Sequence, residues 1–313
     1  ALEAALEQDE RVLLFGEDIE DPKGGVFGIT KGLSTRFPGR VRNSPLAEAT
    51  IVGVGIGLAA YGYRPIFEIQ FIDFLSPAWN QLTTNASTLR WRTKGEWTCP
   101  LTLYAPSGAY LPGGGPWHSQ SFESHLAGTP GLRVGMPASV ADAAGLFWTM
   151  IRGEDPSVVL IPKHLFRKPE RNVRLEPVAL GSARTLLEGN DCTIVTWGNG
   201  TEVAMLAAER LRPEVSVEVL DLRCIMPWDR DAVVSSLAKT GRLVVVHEDP
   251  RTCGFGDTVA ASIVSDPATW DLLAGPPVVV ARHDVPIGFH PNLEYGCLPS
   301  VEDVVRAVRT VLR

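Results

Sequence analysis

Few side chains here have both the type and the setting for chemistry, and Glu48 comes first. It lies in NSPLAEATIVGVGIGLAAYG, residues 43–62, as the one carboxylate of an apolar stretch studded with glycine. Ser44 followed by Pro45 predicts a helix start, a capping hydroxyl and then proline at the first helical position. A capping box would place its acid at position 47, which is alanine, so capping does not account for Glu48. Two readings stay open: a solvated residue favoured by the helix dipole, or a carboxylate kept for a task. Gly53 and Gly57, four apart, share a helix face where another backbone can come close.

His118 is the second candidate. It closes the glycine run of LPGGGPWHSQS, residues 111–121, where three glycines flanked by prolines cannot be regular structure. A lone histidine is either structural or catalytic, and active sites of α/β proteins are built on such loops. Gln70 falls at the end of a predicted strand in FEIQFIDFLSPAW, where a polar group can reach a ligand. Phe71, Phe74 and Trp79 beside it suit either a core or a cofactor platform. His125, seven residues after His118, can share a helix face with it and reads as packing or surface.

Other chemistries find no support. The histidines make no metal-ligand spacing, and neither a G-x-S-x-G elbow nor a Walker A sequence occurs. GVGIG at 53–57 falls inside the predicted helix rather than in a strand-to-helix turn, so it reads as packing rather than as a dinucleotide fingerprint. A net charge of -7 without a Lys/Arg cluster argues against a nucleic-acid binder. Five scattered cysteines without a C-x-x-C pair fit a reducing compartment, cytoplasm or mitochondrial matrix, and no structural zinc. No apolar run reaches the ~18 residues of a membrane helix. The opening ALEAALEQDERV, without Met or signal peptide, reads as trimmed or cut from a longer polypeptide.

The elements that must position these residues alternate. Strand patterns at Val12–Phe15, Ile66–Phe71, Leu101–Ala105, Leu132–Met136 and Val158–Ile161 are interleaved with helical patterns at 45–61, 75–92 and 139–152. Such alternation predicts a mostly parallel sheet covered on both faces, with ligands beyond the strands' carboxyl ends. Charge and proline rise over 163–190, as in a linker. A second α/β set follows, with strands at Cys192–Trp197, Val215–Leu220, Leu243–His247 and Val278–Ala281 and helices at 202–211, 229–239 and 300–312. The fold class is α/β in two domains.

In order along the chain, GEDI, GGVFGITKGL, SPLAEATIVGVGIGLAAYGYRPIFEIQFIDF, PLTLYAPSG, WHSQSFESHLAGTPGLRV, PSVVLIPKHLFR and VVVHEDPRTCGFG resemble the β subunit of the E1 component of 2-oxo acid dehydrogenase complexes. The resemblance spans essentially the whole chain. It implies a transketolase-like pyrimidine-binding domain over 1–165, a linker over 166–190 and a transketolase C-terminal domain over 191–313. It also gives Glu48 a role. Thiamine diphosphate becomes a nucleophile when its thiazolium C2 loses a proton to its own aminopyrimidine. The active imino tautomer forms when a carboxylate hydrogen-bonds N1′, and low polarity strengthens that bond. By the same resemblance Leu46 and Gln70 line the pyrimidine pocket and Phe74 stacks on the ring, where branched-chain relatives have Tyr. His118 then steers the substrate carboxylate or donates a proton as the acyl group passes to a lipoyl sulfur. Family members also hold K⁺ through backbone carbonyls, at positions matching Leu101, Thr102, Met150 and Asp155.

The GDG…N motif that holds Mg²⁺ and the diphosphate in thiamine enzymes is missing; Gly256-Asp257 runs on into Thr258. The resemblance therefore implies a partner, an E1 α subunit or a fused α half, that supplies Mg²⁺ and the diphosphate site. It implies an α2β2 heterotetramer with a second β chain, acting on the E2 acyltransferase core. GGVF, EIQF and HSQS lean towards branched-chain 2-oxo acids, with a pyruvate dehydrogenase β subunit as the alternative. A stand-alone transketolase-type enzyme needs the missing motif. A non-catalytic scaffold has no use for Glu48, Gln70 and His118 together.

Overall fold

The computed structural model describes every residue except 171 and 172. It divides into two compact units, one of residues 1–107 and 125–179 and one of residues 108–124 and 180–313. The sequence reading runs its first domain unbroken to 165; the structure gives 108–124 to the second unit. Part of the expected linker is structured as well, with a 3-10 turn at Lys163–Arg167 and a strand at Arg184–Leu187. Residues 171 and 172 of that linker lie outside the described residues.

In the first unit six strands run parallel: β1 (Val12–Gly16), β2 (Val41–Asn43), β3 (Arg64–Glu68), β4 (Thr102–Ser107), β5 (Arg133–Gly135) and β6 (Ser157–Pro162). Their order is β5-β6-β4-β3-β1-β2. The central β4 and β6 are buried at every position, as strands covered on both faces must be. The unit's longer helices include α1 (Glu48–Ala60) and α2 (Val140–Ile151). The helix expected over 75–92 is instead broken into a 3-10 turn at Ile72–Ala78, a π turn at Gln81–Ala86 and a short helix at Leu89–Arg92. Pro77 sits in the first piece. The hydroxyls of Thr83, Ser87 and Thr88 bond back to carbonyls four residues earlier, which competes with regular helix.

The second unit carries a five-stranded sheet built from β7 (Arg184–Leu187), β8 (Cys192–Thr196), β9 (Val217–Asp221), β11 (Leu243–Pro250) and β12 (Val278–Arg282). A short β10 (Cys224–Met226) lies outside it. The order is β12-β11-β8-β9-β7, all parallel except the edge strand β7. Helices α3 (Asn199–Leu211) and α6 (Val301–Val311) pack together over this sheet around Ile194, Ala204, Val244 and Val308. Between them in sequence come α4 (Arg230–Thr240) and α5 (Phe255–Val264). Among the described residues no helix is long and apolar enough to cross a membrane.

Candidate active site

Glu48 opens α1 rather than sitting inside it. The helix predicted from Pro45 starts three residues later, with Ala47 as its N-cap and no side-chain capping bond. The reason is local: Ser44 N–H donates to the Gly16 carbonyl at 2.8 Å, continuing the pairing of β2 with β1. Ala47 N–H then closes a tight turn on the Pro45 carbonyl at 2.9 Å. The Ser44 hydroxyl is buried without a hydrogen-bond partner among the described residues, so the expected cap does not form.

The first-turn position favours a carboxylate through the helix dipole, and the Glu48 side chain is only 9% exposed. Its carboxylate makes no hydrogen bond or ion pair among the described residues. Its charge is felt next door: the Glu17 carboxyl is raised by burial first and then by Glu48 and Asp18. Glu68, 3% exposed at the end of β3, is pushed up to about 7 by burial, with Glu17 and Asp18 adding to the rise and the Tyr104 hydroxyl opposing it. Two glycines make room for this acid. A Cβ on Gly16 would lie 2.8 Å from Glu68 Cβ, and one on Gly25, at φ +80, 3.3 Å from Glu68 Oε2. Sequence reasoning missed Glu17 and Glu68. The available signal was an acid closing an apolar run in each case, FGE at 15–17 and IFE at 66–68.

The other residues expected at the pyrimidine lie in this same unit. Leu46 is 82% exposed immediately before α1, and Gln70 is half-buried two residues beyond β3. Phe74 belongs to the 3-10 turn Ile72–Ala78, which packs against α1. Its ring meets Phe71 edge-on at 6.1 Å; Phe71 meets Phe27 at 6.0 Å, and Phe27 stacks on Phe166 at 4.6 Å. The glycines of α1 divide differently from their spacing. Gly55 is the packing residue, since a Cβ there would lie 2.8 Å from Leu101 Cδ1. Gly53 and Gly57 are exposed, together with Val54 and, just beyond the helix, Tyr61. That open face is apolar.

His118 falls in the second unit, half-buried, at the end of a 3-10 turn over Gly115–Trp117. Its Nδ1 lies 3.3 Å from the Gly114 carbonyl. His125 does not share a helix face with it, because the helix there covers only Glu123–Ala127. His247 is the most buried histidine of the unit. It is lowered to about 3 by burial and then by Arg251 and Arg282, and it stacks on Trp197 at 5.5 Å. No group of three or more His, Cys, Asp or Glu among the described residues could hold a metal ion. Of the carbonyl positions, Leu101 accepts from Ser157 N–H and Met150 from Gly153 N–H, each at 2.9 Å. Thr102 pairs with Ser157 in register, and the Asp155 carboxylate takes Arg90 and Arg133.

This geometry coincides with recognised sequence families. Residues 1–169 match the transketolase pyrimidine-binding domain and residues 181–304 the transketolase C-terminal domain. The chain is 39% identical to the 2-oxoisovalerate dehydrogenase subunit beta of Bacillus subtilis, covering 99% of this chain and 95% of that one. It is 44% identical to the mitochondrial 2-oxoisovalerate dehydrogenase subunit beta 2 of Arabidopsis thaliana, covering 100% and 87%. The chain belongs to the E1 β-subunit family of 2-oxo acid dehydrogenases. This family is thiamine diphosphate dependent. E1 β chains with another substrate in their name are nearly as similar: the Bacillus subtilis pyruvate dehydrogenase E1 component subunit beta is 37% identical over 100% of this chain and 96% of its own. A solved split-gene transketolase, described as an inactive β4 tetramer, superposes with a TM-score of 0.81 at 24% identity, covering 99% of this chain and 95% of that one, which shows the shared fold.

Proposed function

We propose that this chain supplies the pyrimidine half of a thiamine diphosphate site in a branched-chain 2-oxo acid dehydrogenase E1. The observation that carries this reading is Glu48, a largely shielded side chain at a helix start whose carboxylate makes no hydrogen bond among the described residues. A carboxylate on a largely shielded side chain, with its acceptor oxygens not taken up by the protein, is available to a ligand's N–H donor. The aminopyrimidine N1′ is such a donor when protonated. When bound, the cofactor supplies the carbon nucleophile that attacks the 2-oxo group.

The chain's own residues do the rest. Glu48 accepts from N1′ and holds the imino tautomer, and the neighbouring Glu17 adds to the negative field around it. Exposed Leu46 and half-buried Gln70 line the ring, and Phe74 stacks on it, held by the Phe71–Phe27–Phe166 rings. His118 orients the substrate carboxylate or gives a proton as the acyl group leaves for a lipoyl sulfur on the E2 acyltransferase. Without GDG, Mg²⁺ and the diphosphate fall to an E1 α partner, separate or fused. The helix α1 has no polar face to show to water, and Gly53 and Gly57 leave space for a neighbouring backbone, which suits a subunit contact with that partner or with a second β chain. K⁺ held by carbonyls at Leu101, Thr102, Met150 and Asp155 belongs to the same reading.

Identities of 39–44% to subunits named for 2-oxoisovalerate support the branched-chain substrate. A pyruvate dehydrogenase β subunit is the second reading, favoured by Phe in place of Tyr at position 74 and by 37–38% identity to pyruvate subunits. Comparing kcat/KM for 3-methyl-2-oxobutanoate and pyruvate, with an E1 α partner and an artificial electron acceptor, decides between them. The branched acid is expected to win; preference for pyruvate establishes the second reading.

A further inference from the structure

The segment 108–124, which carries His118, is fastened into the second unit by buried carboxylates. Glu248, on β11, takes Ala109 N–H, and Asn199 Nδ2 donates to its Oε2 at 2.5 Å. Gly108, at φ +80, lies so close that a Cβ there would be 2.6 Å from Glu248 Oε2. Gly108 N–H in turn donates to the Gln120 carbonyl at 2.9 Å, which ties the two ends of the His118 loop together. Next along, Leu111 N–H donates to Glu294 Oε1 at 3.1 Å, and the Tyr110 hydroxyl donates to the Pro299 carbonyl at 2.8 Å. At the far end Trp197 Nε1 donates to Glu123 Oε1 at 3.2 Å, and Ser124 N–H to Asp249 Oδ2 at 3.1 Å. Arg282 Nη2 reaches the Gln120 side chain at 3.3 Å.

These four acids are at most 2% exposed. Burying carboxylates is a poor route to stability, because apolar side chains of similar volume do as well or better. What directed hydrogen bonds supply is a single position for the backbone they hold. We propose that Glu248, with Glu123, Asp249 and Glu294, positions the His118 loop for the reaction. The inference rests on the role given to His118 above. None of these acids touches substrate in this account; each acts through the loop, as a positioning residue.

The test uses the full chain with its E1 α partner and compares the parent with Glu248→Gln. A glutamine oxygen can accept from Ala109 or from Asn199, but its amide faces a donor with the other. Amide exchange over 108–124 is expected to rise at least about tenfold in this variant while the rest of the second unit keeps its protection. Turnover with the lipoyl acceptor is expected to fall about tenfold or more, since a displacement of about 1 Å can cost ~100-fold, with thiamine diphosphate affinity unchanged. His118→Ala is the control: full turnover in that variant overturns the role of His118, not the fastening. If His118→Ala is impaired while Glu248→Gln keeps parental protection and turnover, the positioning role is overturned. Protection lost evenly across the second unit overturns it too, by making Glu248 an ordinary core residue. Should Glu248→Gln fail to fold, Tyr110→Phe removes one tie without opening a cavity. It is expected to loosen 108–124 by a smaller factor, and parental exchange there counts against the proposal.

Discussion

Both units bury carboxylates, and they treat them differently. In the first, Glu48 has no hydrogen bond among the described residues, and Glu68 is held where burial and neighbouring acids make it reluctant to ionise. In the second, Glu123, Glu248, Asp249 and Glu294 each receive a backbone amide or an indole N–H. The same chemical group is left without a donor from the described residues in one place and tied to amides or an indole in the other.

The sharpest break in this comparison is Glu48→Gln. It removes no hydrogen bond among the described residues, so unfolding should shift by no more than about 0.5 kcal/mol. Turnover with the E1 α partner should nevertheless fall by about 10²–10⁴-fold. Loss of stability together with activity would place Glu48 among the structural acids.

On the other side, burial first and then Asp249 and Glu248 push the Glu123 carboxyl well above the usual carboxylate range, which favours its neutral form. Glu123→Gln is nearly isosteric with the neutral acid and still accepts from Trp197, so it should cost under about 1 kcal/mol. Glu123→Ala leaves the indole N–H unpaired over a cavity and should cost about 2–3 kcal/mol in denaturant unfolding.

The pH dependence separates the units by sign. Glu68 is raised from 4.5 to about 7 in the folded chain, so the folded form binds the extra proton. That contribution is full below pH 4.5 and lost as pH rises through about 7. His247 is lowered from 6.5 to about 3, so the unfolded form binds the extra proton. Its contribution is full above pH 6.5 and lost as pH falls through about 3. Unfolding midpoints against pH should flatten on the neutral side in Glu68→Gln and on the acid side in His247→Asn.

The smallest effect expected is at Cys253, exposed at φ +61 just before Gly254, one of the two glycines packed on His247. Cys253→Gly relieves a left-handed conformation at about 1–2 kcal/mol and gives back part of it as chain entropy. A net gain of about 0.5 kcal/mol in denaturant unfolding is expected; a loss would mean the thiol packs usefully.

Much of this was legible in the sequence because parallel strands buried on both faces read as apolar runs, as VVLI at 158–161 and TIVT at 193–196 do. The edge strand Arg184–Leu187 escaped because it is only half covered and carries no such run. Helix α5 escaped because it opens on FGD, with glycine at the second helical position. The start of α1 was misplaced because Ser44 N–H is used by β1, a tertiary contact that local capping rules do not see. Glu48, Gln70 and His118 stood out as candidates by residue type and setting, whereas the role expected of Phe74 came only with the family resemblance. The passage of 108–124 into the second unit did not, because its partners lie on strands and helices more than seventy residues later.

The central claim is a site split between chains, and the direct measurement is decarboxylation of 3-methyl-2-oxobutanoate with thiamine diphosphate, Mg²⁺ and an artificial electron acceptor. It is run on this chain alone and on this chain with a partner carrying the GDG…N motif. Turnover only in the pair, abolished by Glu48→Gln, is the predicted result. Full turnover by this chain alone would contradict it.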